Sequence, residues 1–293
     1  MQIAIASGKG GTGKTTLAVN LAVLLSEKFA GTNQKVLLTD LDVEEPNSGL
    51  FIKGRLVEET INYRMVPEWK EDKCTFCKRC ANICEYNALA YLGVSVMIFP
   101  ELCHSCYACS DLCPEDALPM VKHRMGVTAR YYLNDHLQFI ESRIDIGVEQ
   151  ATPLIGQTRK FIKENYDNHW FVILDAPPGT SCPVMEAVKD ADLVVLITEP
   201  TPFGFNDLKL ALETVKELEK PYAVVINKYG IGNDDVLNYC RDNSITVLGK
   251  LPHLTEAAVL YSKGKTMVDA LPQIRNEMEK IYQGILKLTE GIK

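Results

Sequence analysis

Residues 8–16 read Gly8-Lys9-Gly10-Gly11-Thr12-Gly13-Lys14-Thr15-Thr16, and this stretch decides the fold. It follows the short apolar run 3–6 and precedes an apolar periodicity, over residues 15–28, that is typical of a helix. In this setting the glycines let backbone N–H groups turn inward around a phosphate, and the amino terminus of the helix adds a favourable dipole. The stretch therefore predicts a phosphate-binding loop, in which Lys14 reaches the β- and γ-phosphates of a nucleotide and the Thr15 hydroxyl binds Mg²⁺.

Short β-branched runs alternate with longer helical patterns along most of the chain. The runs are apolar on both faces, as expected for strands that helices cover in a parallel sheet. They are Ile3–Ala6, Val36–Asp40, Phe171–Asp175, Leu193–Thr198, Ala223–Asn227 and Thr246–Leu251. Helices are predicted at Thr15–Lys28, Gly156–Asn165, Asp207–Leu218 and Asp234–Asp242. This alternation predicts an α/β fold with a doubly wound, mostly parallel sheet.

A cysteine-rich stretch interrupts this rhythm. Eight of the 10 cysteines lie between Cys74 and Cys113, where the pattern C-x2-C-x2-C-x3-C occurs twice at a spacing of 29 residues. A short duplicated unit of this kind is held together by metal rather than by an apolar core. We therefore predict a small domain at residues 65–122, inserted into a nucleotide-binding domain made of residues 1–64 and 123–293.

Three cysteines within seven residues suit three corners of an iron–sulfur cubane, whose fourth ligand comes from elsewhere. The spacing resembles that of two-cluster ferredoxins, which implies a ferredoxin-like α+β insert in which the fourth cysteine of each run binds the other cluster. The two predicted [4Fe-4S] clusters have the ligand sets Cys74, Cys77, Cys80 and Cys113, and Cys103, Cys106, Cys109 and Cys84. Zinc is the alternative, but its structural sites prefer two separated C-x2-C pairs to compact triplets.

Composition narrows the possible partners. The 293 residues carry a formal net charge of −7, which argues against direct binding to nucleic acid or to an anionic membrane surface. Met1 runs almost directly into the first apolar strand, so we expect no signal peptide and a cytoplasmic location. A chain of this length can bury a sufficient core without disulfides, so reduced cysteines that hold metal are the better interpretation.

Lys9, the first lysine of the loop, points to a particular family of P-loop proteins. The sequence Lys9-Gly10-Gly11-Thr12-Gly13-Lys14-Thr15-Thr16 resembles the deviant Walker A motif of the MinD/ParA/Mrp superfamily of P-loop ATPases, which includes the nitrogenase iron protein. The resemblance implies that Lys9 crosses a dimer interface to the partner's nucleotide. It therefore implies an ATP-dependent homodimer, or a dimer with a close paralogue, and Mg²⁺-dependent ATP hydrolysis that is slow until a partner protein stimulates it.

The same resemblance assigns roles to carboxylates at the ends of two strands. Leu38-Thr39-Asp40-Leu41-Asp42 is similar to the first nucleotide switch, and period-two geometry is expected to put both aspartates on one side of the strand. Asp42 is implied to orient the attacking water and Asp40 to contact a Mg²⁺-bound water, although the two roles are interchangeable at this stage. Asp175-Ala176-Pro177-Pro178-Gly179 resembles the Walker B segment and second switch, with Asp175 near Mg²⁺ and the Gly179 N–H on the γ-phosphate.

Base recognition is also implied by resemblance. Asn227-Lys228 follows a predicted strand and is similar to the pair with which the family reads adenine. Pro252 matches a position where the family packs backbone against the base. A guanine signature is missing from any suitable place, so ATP is favoured over GTP.

Two cysteines and the carboxy-terminal stretch lie outside these motifs. Cys182 follows the second switch at an offset similar to that of a cluster ligand in the nitrogenase iron protein, but a spectator thiol is the simpler interpretation. Cys240 is expected in the core.

Apolar residues at Ile274, Met278, Ile281, Ile285, Leu288 and Ile292 predict an amphipathic helix. Residues 271–293 carry four Lys or Arg against three Glu, so this helix is expected to dock on the protein rather than on a membrane.

These observations support three functional hypotheses. The first is a dimeric ATP-driven switch that controls electron transfer from the clusters to a redox partner. The second is an iron–sulfur carrier or assembly ATPase that serves a client protein, although the C-x-x-C near the carboxy terminus that is typical of such carriers is missing. The third is a MinD/ParA-like positioning ATPase in which the clusters are structural.

Overall fold

The computed structural model describes residues 1–290 and divides into two compact units. The larger unit comprises residues 1–59, 128–143 and 155–293, and the smaller comprises residues 60–127 and 144–154. The predicted insert, residues 65–122, lies within the smaller unit, which also includes flanking residues on both sides and a separate segment before the next helix.

The main sheet has nine strands in the order β11-β10-β9-β1-β8-β2-β7-β6-β3. The strands of this sheet are β1 Gln2–Ala6, β2 Lys35–Asp40, β3 Arg55–Pro67, β6 Met120–Asn134, β7 Leu137–Ile144, β8 Trp170–Asp175, β9 Leu193–Thr198, β10 Tyr222–Tyr229 and β11 Val247–Pro252. Every pairing from β11 across to β7 is parallel. The predicted α/β fold with a mostly parallel sheet is therefore confirmed.

The central strands are buried because helices cover their apolar side chains. Ile3, Ile5, Ile173 and Val225 are fully buried in one core cluster together with much of the first helix. The helices of the larger unit are α1 Lys14–Lys28, α4 Ala151–Asn165, α5 Cys182–Val188, α6 Pro202–Glu217, α7 Asp235–Asp242, α8 Thr255–Ser262 and α9 Pro272–Thr289. Helix α4 begins in the smaller unit and continues into the larger one.

The six predicted strands are all present, but β3, β6 and β7 were not predicted. These strands carry polar residues along much of their length: β3 reads Arg55-Leu56-Val57-Glu58-Glu59-Thr60-Ile61 at its start, and all seven residues are exposed. β3 is at the edge of the sheet, where a strand does not need two apolar faces, so the pattern of a buried parallel strand is missing there. Both β3 and β6 contribute residues to both units.

The smaller unit repeats its backbone conformation at the spacing seen in the sequence. It contains α2 Arg79–Ile83, the hairpin strands β4 Leu89–Tyr91 and β5 Val96–Ile98, and α3 Ala108–Asp111. Positive φ angles occur in pairs 29 residues apart, at Phe76 and Ser105, Lys78 and Tyr107, and Asn87 and Asp116. The two cysteine runs therefore fold into the same loop.

The carboxy-terminal helix α9 packs on the larger unit as predicted. Ile274, Met278, Ile281 and Ile285 are buried in the same core cluster as α1, and Leu288 packs against its border. Ile292, the last position of the predicted stripe, lies outside the described residues. None of the helices within residues 1–290 is long and apolar enough to span a bilayer.

Candidate nucleotide and cluster sites

The predicted phosphate loop connects β1 to α1 and needs glycine at its last turn. Gly13 has a φ of 102°, in the left-handed region. A Cβ there would approach Nδ2 of Asn227 to 2.3 Å. That same Nδ2 donates to the carbonyl oxygen of Thr12 at 2.7 Å, so Asn227 holds the loop from strand β10, two strands away from β1. The close approach explains why a side chain cannot be accommodated at position 13.

Three carboxylates surround the buried Lys14. Asp175, Asp42 and Asp40 each raise the pKa of Lys14, but burial has the larger effect and lowers it overall. Burial likewise raises the pKa of Asp42 above its usual value. The carboxylates outnumber the lysine, so this group of side chains carries an excess of negative charge that a divalent cation could neutralise.

The Asp40 carboxylate shapes the loop that follows β2. Its Oδ1 accepts the backbone N–H of Asp42 at 3.0 Å, and its Oδ2 accepts those of Asn47 and Ser48, both at 2.9 Å. Asp42 lies just beyond the strand, which ends at Asp40, so the period-two argument for the two aspartates does not apply. Asp40 is fully buried and three of its acceptor positions are used, whereas Asp42 is near Lys14.

Asp175 has the features expected of a residue near Mg²⁺. Its Oδ2 accepts the Ser48 hydroxyl at 3.3 Å, while its Oδ1 is buried and has no hydrogen-bond partner within residues 1–290. The Thr15 hydroxyl lowers the pKa of Asp175, but burial raises it more strongly. A hydroxyl and a half-satisfied carboxylate that face each other are the donor set that Mg²⁺ and its bound waters need. The residues therefore fit the predicted cation.

Two predicted contacts to the nucleotide are occupied by protein groups. Lys9 Nζ lies 3.7 Å from Oδ2 of Asp207 on α6, within the same chain. The N–H of Gly179 donates to the carbonyl oxygen of Ser7 at 3.0 Å. Both groups would have to leave these partners before they could reach phosphate oxygens.

The predicted base-reading residues form a group of hydrogen bonds of their own. Asn227 Oδ1 accepts the N–H of Lys228 at 2.9 Å, and Lys228 Nζ forms an ion pair with Glu199 at 2.5 Å. Each end of the Asn227 amide keeps one further hydrogen-bonding position. Pro252 ends β11, beside Tyr229 of β10. Adenine recognition by these residues stays a prediction.

The first cysteine set lines a single pocket in the smaller unit. Cys74, Cys77, Cys80 and Cys113 all border this pocket, together with Trp69. The Trp69 indole nitrogen is buried and has no hydrogen-bond partner among the described residues, so it is a donor that could face a sulfur atom. This is the crossed combination of cysteines that the ferredoxin spacing predicts.

The second set is identified by the electrostatics of Cys109. Burial, and after it the neighbouring Cys103, Cys106 and Cys84, raise the pKa of this thiol to about 11. For four thiols to lose their protons in such a place, a bound cation must offset their mutual repulsion. The pKa of Cys80 in the first set is raised in the same way, by burial and then by Cys74 and Cys77.

Backbone N–H groups already point at the crossing cysteines. The N–H of Ala88 donates to Cys84 Sγ at 3.2 Å, and the N–H of Ala117 donates to Cys113 Sγ at 3.3 Å. These two bonds occupy equivalent places in the repeat, and donors of this kind stabilise sulfur in its charged form. Within residues 1–290, no group of three or more His, Cys, Asp or Glu side chains is arranged around a single metal ion. A cubane spreads its ligands over four iron atoms, so its cysteines need not converge on one point.

The family is decided by a sequence profile. The profile of the CobQ/CobB/MinD/ParA nucleotide binding domain matches residues 3–267. The chain belongs to this family. Its nine-stranded sheet, with the glycine-rich loop between β1 and α1, is therefore the MinD/ParA-type P-loop ATPase fold.

Relatives cover nearly the whole chain. An uncharacterized protein of Methanocaldococcus jannaschii is 30% identical over 295 residues, which cover 98% of both chains. The iron-sulfur cluster carrier protein of Aquifex aeolicus is 24% identical, over 99% of this chain and 67% of that one. Among solved structures, the septum site-determining protein MinD of Pyrococcus horikoshii, complexed with Mg-ADP, has a TM-score of 0.58 at 20% identity, over 98% of this chain and 96% of that one.

Several residues of the candidate sites were not predicted. Ser48 binds both Asp40 and Asp175, and Asp207 and Glu199 hold Lys9 and Lys228. Ser48 lies in the loop that follows the first switch. Aspartate and serine side chains often form hydrogen bonds within such loops, and this was the only sequence signal, a weak one, for a role of Ser48. The partners of the two lysines come from distant segments, and no local pattern identifies them.

Proposed function

We propose that this protein binds and hydrolyses ATP with Mg²⁺ in its large unit. The support is the half-satisfied Asp175 carboxylate, which faces the Thr15 hydroxyl next to the buried Lys14. Thr15 and Asp175 would hold Mg²⁺ and its waters, and Lys14 would neutralise the β- and γ-phosphates. Asp42, whose carboxylate has fewer backbone partners than that of Asp40, is the better candidate to orient the attacking water.

Dimerisation is the second part of the proposal. Lys9 is about one-third exposed and makes a single ion pair at 3.7 Å, which is a weak contact. Nucleotide in a second copy of the chain, or in a close paralogue, would compete with Asp207 for this lysine. Hydrolysis would then be slow in the monomer and faster in the dimer or in the presence of a partner protein.

The third part is that the smaller unit holds two [4Fe-4S] clusters. The support is the pocket lined by Cys74, Cys77, Cys80 and Cys113, with a second set at Cys84, Cys103, Cys106 and Cys109. Such clusters, when bound, supply one-electron transfer at potentials that depend on charge and hydrogen bonding around them. The N–H groups of Ala88 and Ala117 would orient the crossing cysteines in both sets.

Coupling between the two activities has a structural route within the chain. The second switch leads into α5, where Glu186 accepts a hydrogen bond from the buried Arg159 of α4 at 3.0 Å. The first turn of α4, at Ala151–Leu154, belongs to the smaller unit. A movement of the second switch would thus reach a helix that is shared with the cysteine-rich unit. We propose that ATP binding controls electron delivery to a redox partner in this way.

Anaerobic purification followed by two measurements tests this function. The protein should contain iron and acid-labile sulfide for two cubanes and should bind Mg-ATP. A variant with Cys77 and Cys106 both changed to serine should lose its iron but still bind ATP. That result would show that the cluster sites and the nucleotide site are distinct. Protein without iron, or with iron but without measurable ATP affinity, would contradict the proposal.

An iron–sulfur carrier is the second candidate. The support is the similarity, along 99% of the chain, to a protein named as an iron-sulfur cluster carrier. In that case cluster transfer to an apo-ferredoxin should accelerate with ATP and the donor should lose iron. Retention of all the iron during turnover would instead favour the electron-transfer switch.

A further inference from the structure

A buried arginine in the smaller unit has no negative partner. Arg64 lies on β3 and is only 5% exposed. Its Nη1 donates to the backbone carbonyl oxygen of Cys103 at 3.3 Å and to Oε1 of Gln150 at 2.9 Å. Both of these acceptors are neutral, so within residues 1–290 the hydrogen bonds of the guanidinium go to dipoles rather than to a negative charge.

The arginine is also incompletely satisfied. Its Nε is buried without a hydrogen-bond partner within residues 1–290, and none of the ion pairs that arginines form in that range includes Arg64. Arginine keeps its charge in proteins, and an unpaired buried charge destabilises the folded state unless an opposite charge is supplied. The missing anion should therefore lie close to the Cys103 loop.

The Cys103 loop is where four thiolates are expected to collect. Cys103 is one of the thiols that raise the pKa of Cys109, together with Cys106 and Cys84. Gln150 also donates from Nε2 to the carbonyl oxygen of Glu101 at 3.1 Å, so the amide fixes both the arginine and the start of this loop. A cubane with four thiolates is a net anion and would supply the charge that Arg64 lacks.

The repeat does not provide the same residue to the other loop. The position 29 residues after Arg64 is Gly93, which has no side chain. The cations that line the pocket of the first set, Lys78 and Arg79, are exposed. Water and salt screen exposed charges far more than buried ones. The two cysteine sets therefore have different electrostatic surroundings despite the same backbone conformation.

We propose that Arg64 is a positioning residue that compensates the charge of the cluster at Cys84, Cys103, Cys106 and Cys109, and makes it easier to reduce than the other cluster. Reduction adds one electron, and thus one negative charge, next to the buried positive charge of Arg64, which water screens only weakly. At equilibrium a single electron would then reside mainly on this cluster. The inference depends on the proposed presence of both clusters.

Anaerobic redox titration with dithionite, followed by EPR, tests the role of the charge. Iron and sulfide analysis of the unmodified protein comes first, because failure to load two clusters would refute the proposed function rather than the role of Arg64. In Arg64→Gln, we expect one of the two midpoint potentials to fall so that the ratio of reduced to oxidised cluster at fixed potential drops at least tenfold, about 59 mV. The other midpoint should stay unchanged.

Two further variants separate charge from structure. Arg64→Lys keeps the charge but not the geometry, and should restore most of the potential. Arg79→Gln removes an exposed cation beside the first pocket and should move neither midpoint by as much. If Arg64→Gln loses one cluster altogether while Arg64→Lys keeps both, the need for the buried charge is supported. Unchanged midpoints in Arg64→Gln, an equal shift of both, or equal losses in Arg64→Gln and Arg64→Lys would overturn the proposal.

Discussion

Asp40 and Asp175 are direct neighbours in the parallel pairing of β2 with β8. Both are buried at the ends of their strands, and the negative charge of Asp40 raises the pKa of Asp175 beyond the effect of burial. Without a cation this pair is an electrostatic cost to the folded state, and the Mg²⁺ ion proposed above would offset that cost when bound. In the proposed function, these two residues at one end of a parallel sheet would connect the stability of the fold to ligand binding.

The first prediction concerns pH. The pKa of Asp175 is raised in the folded state, so its contribution to stability is complete below about pH 4, the unfolded value, and is lost as pH rises through the folded value. Without Mg²⁺ and nucleotide, thermal unfolding should therefore occur at lower temperature as pH increases from 6 to about 8.5.

Asp175→Asn is the matched variant for that prediction. It should increase the free energy of unfolding of the metal-free protein, by about 1 kcal/mol or more at neutral pH, and flatten its pH dependence. It should also abolish Mg²⁺-dependent ATP hydrolysis. A variant that is less stable than the unmodified protein in EDTA at pH 8 would contradict the assignment.

The second prediction concerns Lys9. Lys9→Ala should bind Mg-ATP within about threefold of the normal affinity but should not dimerise with it, because the lysine contributes to the partner's site. Asp207→Asn should do the opposite and increase the dimer fraction at a given ATP concentration, since the 3.7 Å ion pair no longer holds Lys9. Analytical ultracentrifugation with a non-hydrolysable analogue measures both. Normal dimerisation of Lys9→Ala would exclude the intermolecular role.

The third prediction concerns the link between α4 and α5. Arg159 is buried and donates to Glu186 at 3.0 Å, and it also forms an ion pair with Asp190. Arg159→Met should lower the free energy of unfolding by about 1–2 kcal/mol, because Glu186 loses one of its two cationic partners and keeps only Lys189. Arg241→Met, which removes an exposed arginine on α7, should cost less than about 0.5 kcal/mol in the same denaturant titration.

The fourth prediction concerns the two cysteines outside the repeat. Cys182 is exposed, whereas burial raises the pKa of Cys240 to about 11. With clusters in place, iodoacetamide at pH 8 should alkylate Cys182 and leave Cys240 unmodified, as mass spectrometry can determine. Cys182→Ser should retain the full iron content. Loss of iron in this variant would make Cys182 a ligand after all.

The crossing of ligands gives a fifth prediction. Cys84 and Cys113 are the last cysteines of their runs, and each is predicted to bind the cluster of the other run. Cys84→Ser and Cys113→Ser should therefore each lose one cluster and half of the iron. Because the pairing is crossed, Cys84→Ser should remove the EPR signal whose potential responds to Arg64, and Cys113→Ser should leave it. The reverse result would show that each run binds its own cluster.

The sequence predicted the central strands because they are apolar on both faces, and the phosphate loop because its residues are consecutive. The cysteine loops were predictable for the same reason, since each ligand set lies within a short run and repeats after 29 residues. The edge strand β3 and its neighbour β6 were missed because many of their side chains are polar and exposed.

Local sequence patterns could not predict the contacts between distant segments of the chain. Asp207 with Lys9, Ser48 with Asp175, and Arg64 with Cys103 all depend on tertiary packing of residues more than 35 positions apart. Asp42 is an instructive intermediate case. The period of two assumed a strand that continues beyond Asp40, but the strand ends there because the Asp40 carboxylate binds the N–H groups of the following loop.

Redox titration by EPR with Mg-ADP and with a Mg-ATP analogue most directly tests the coupling of nucleotide and clusters. A coupling free energy of about 1–3 kcal/mol corresponds to a shift of roughly 40–130 mV in a one-electron potential, and we expect at least one midpoint to move by this amount. Identical midpoints in the two nucleotide states, in protein that demonstrably binds both nucleotides and retains both clusters, would contradict the coupling.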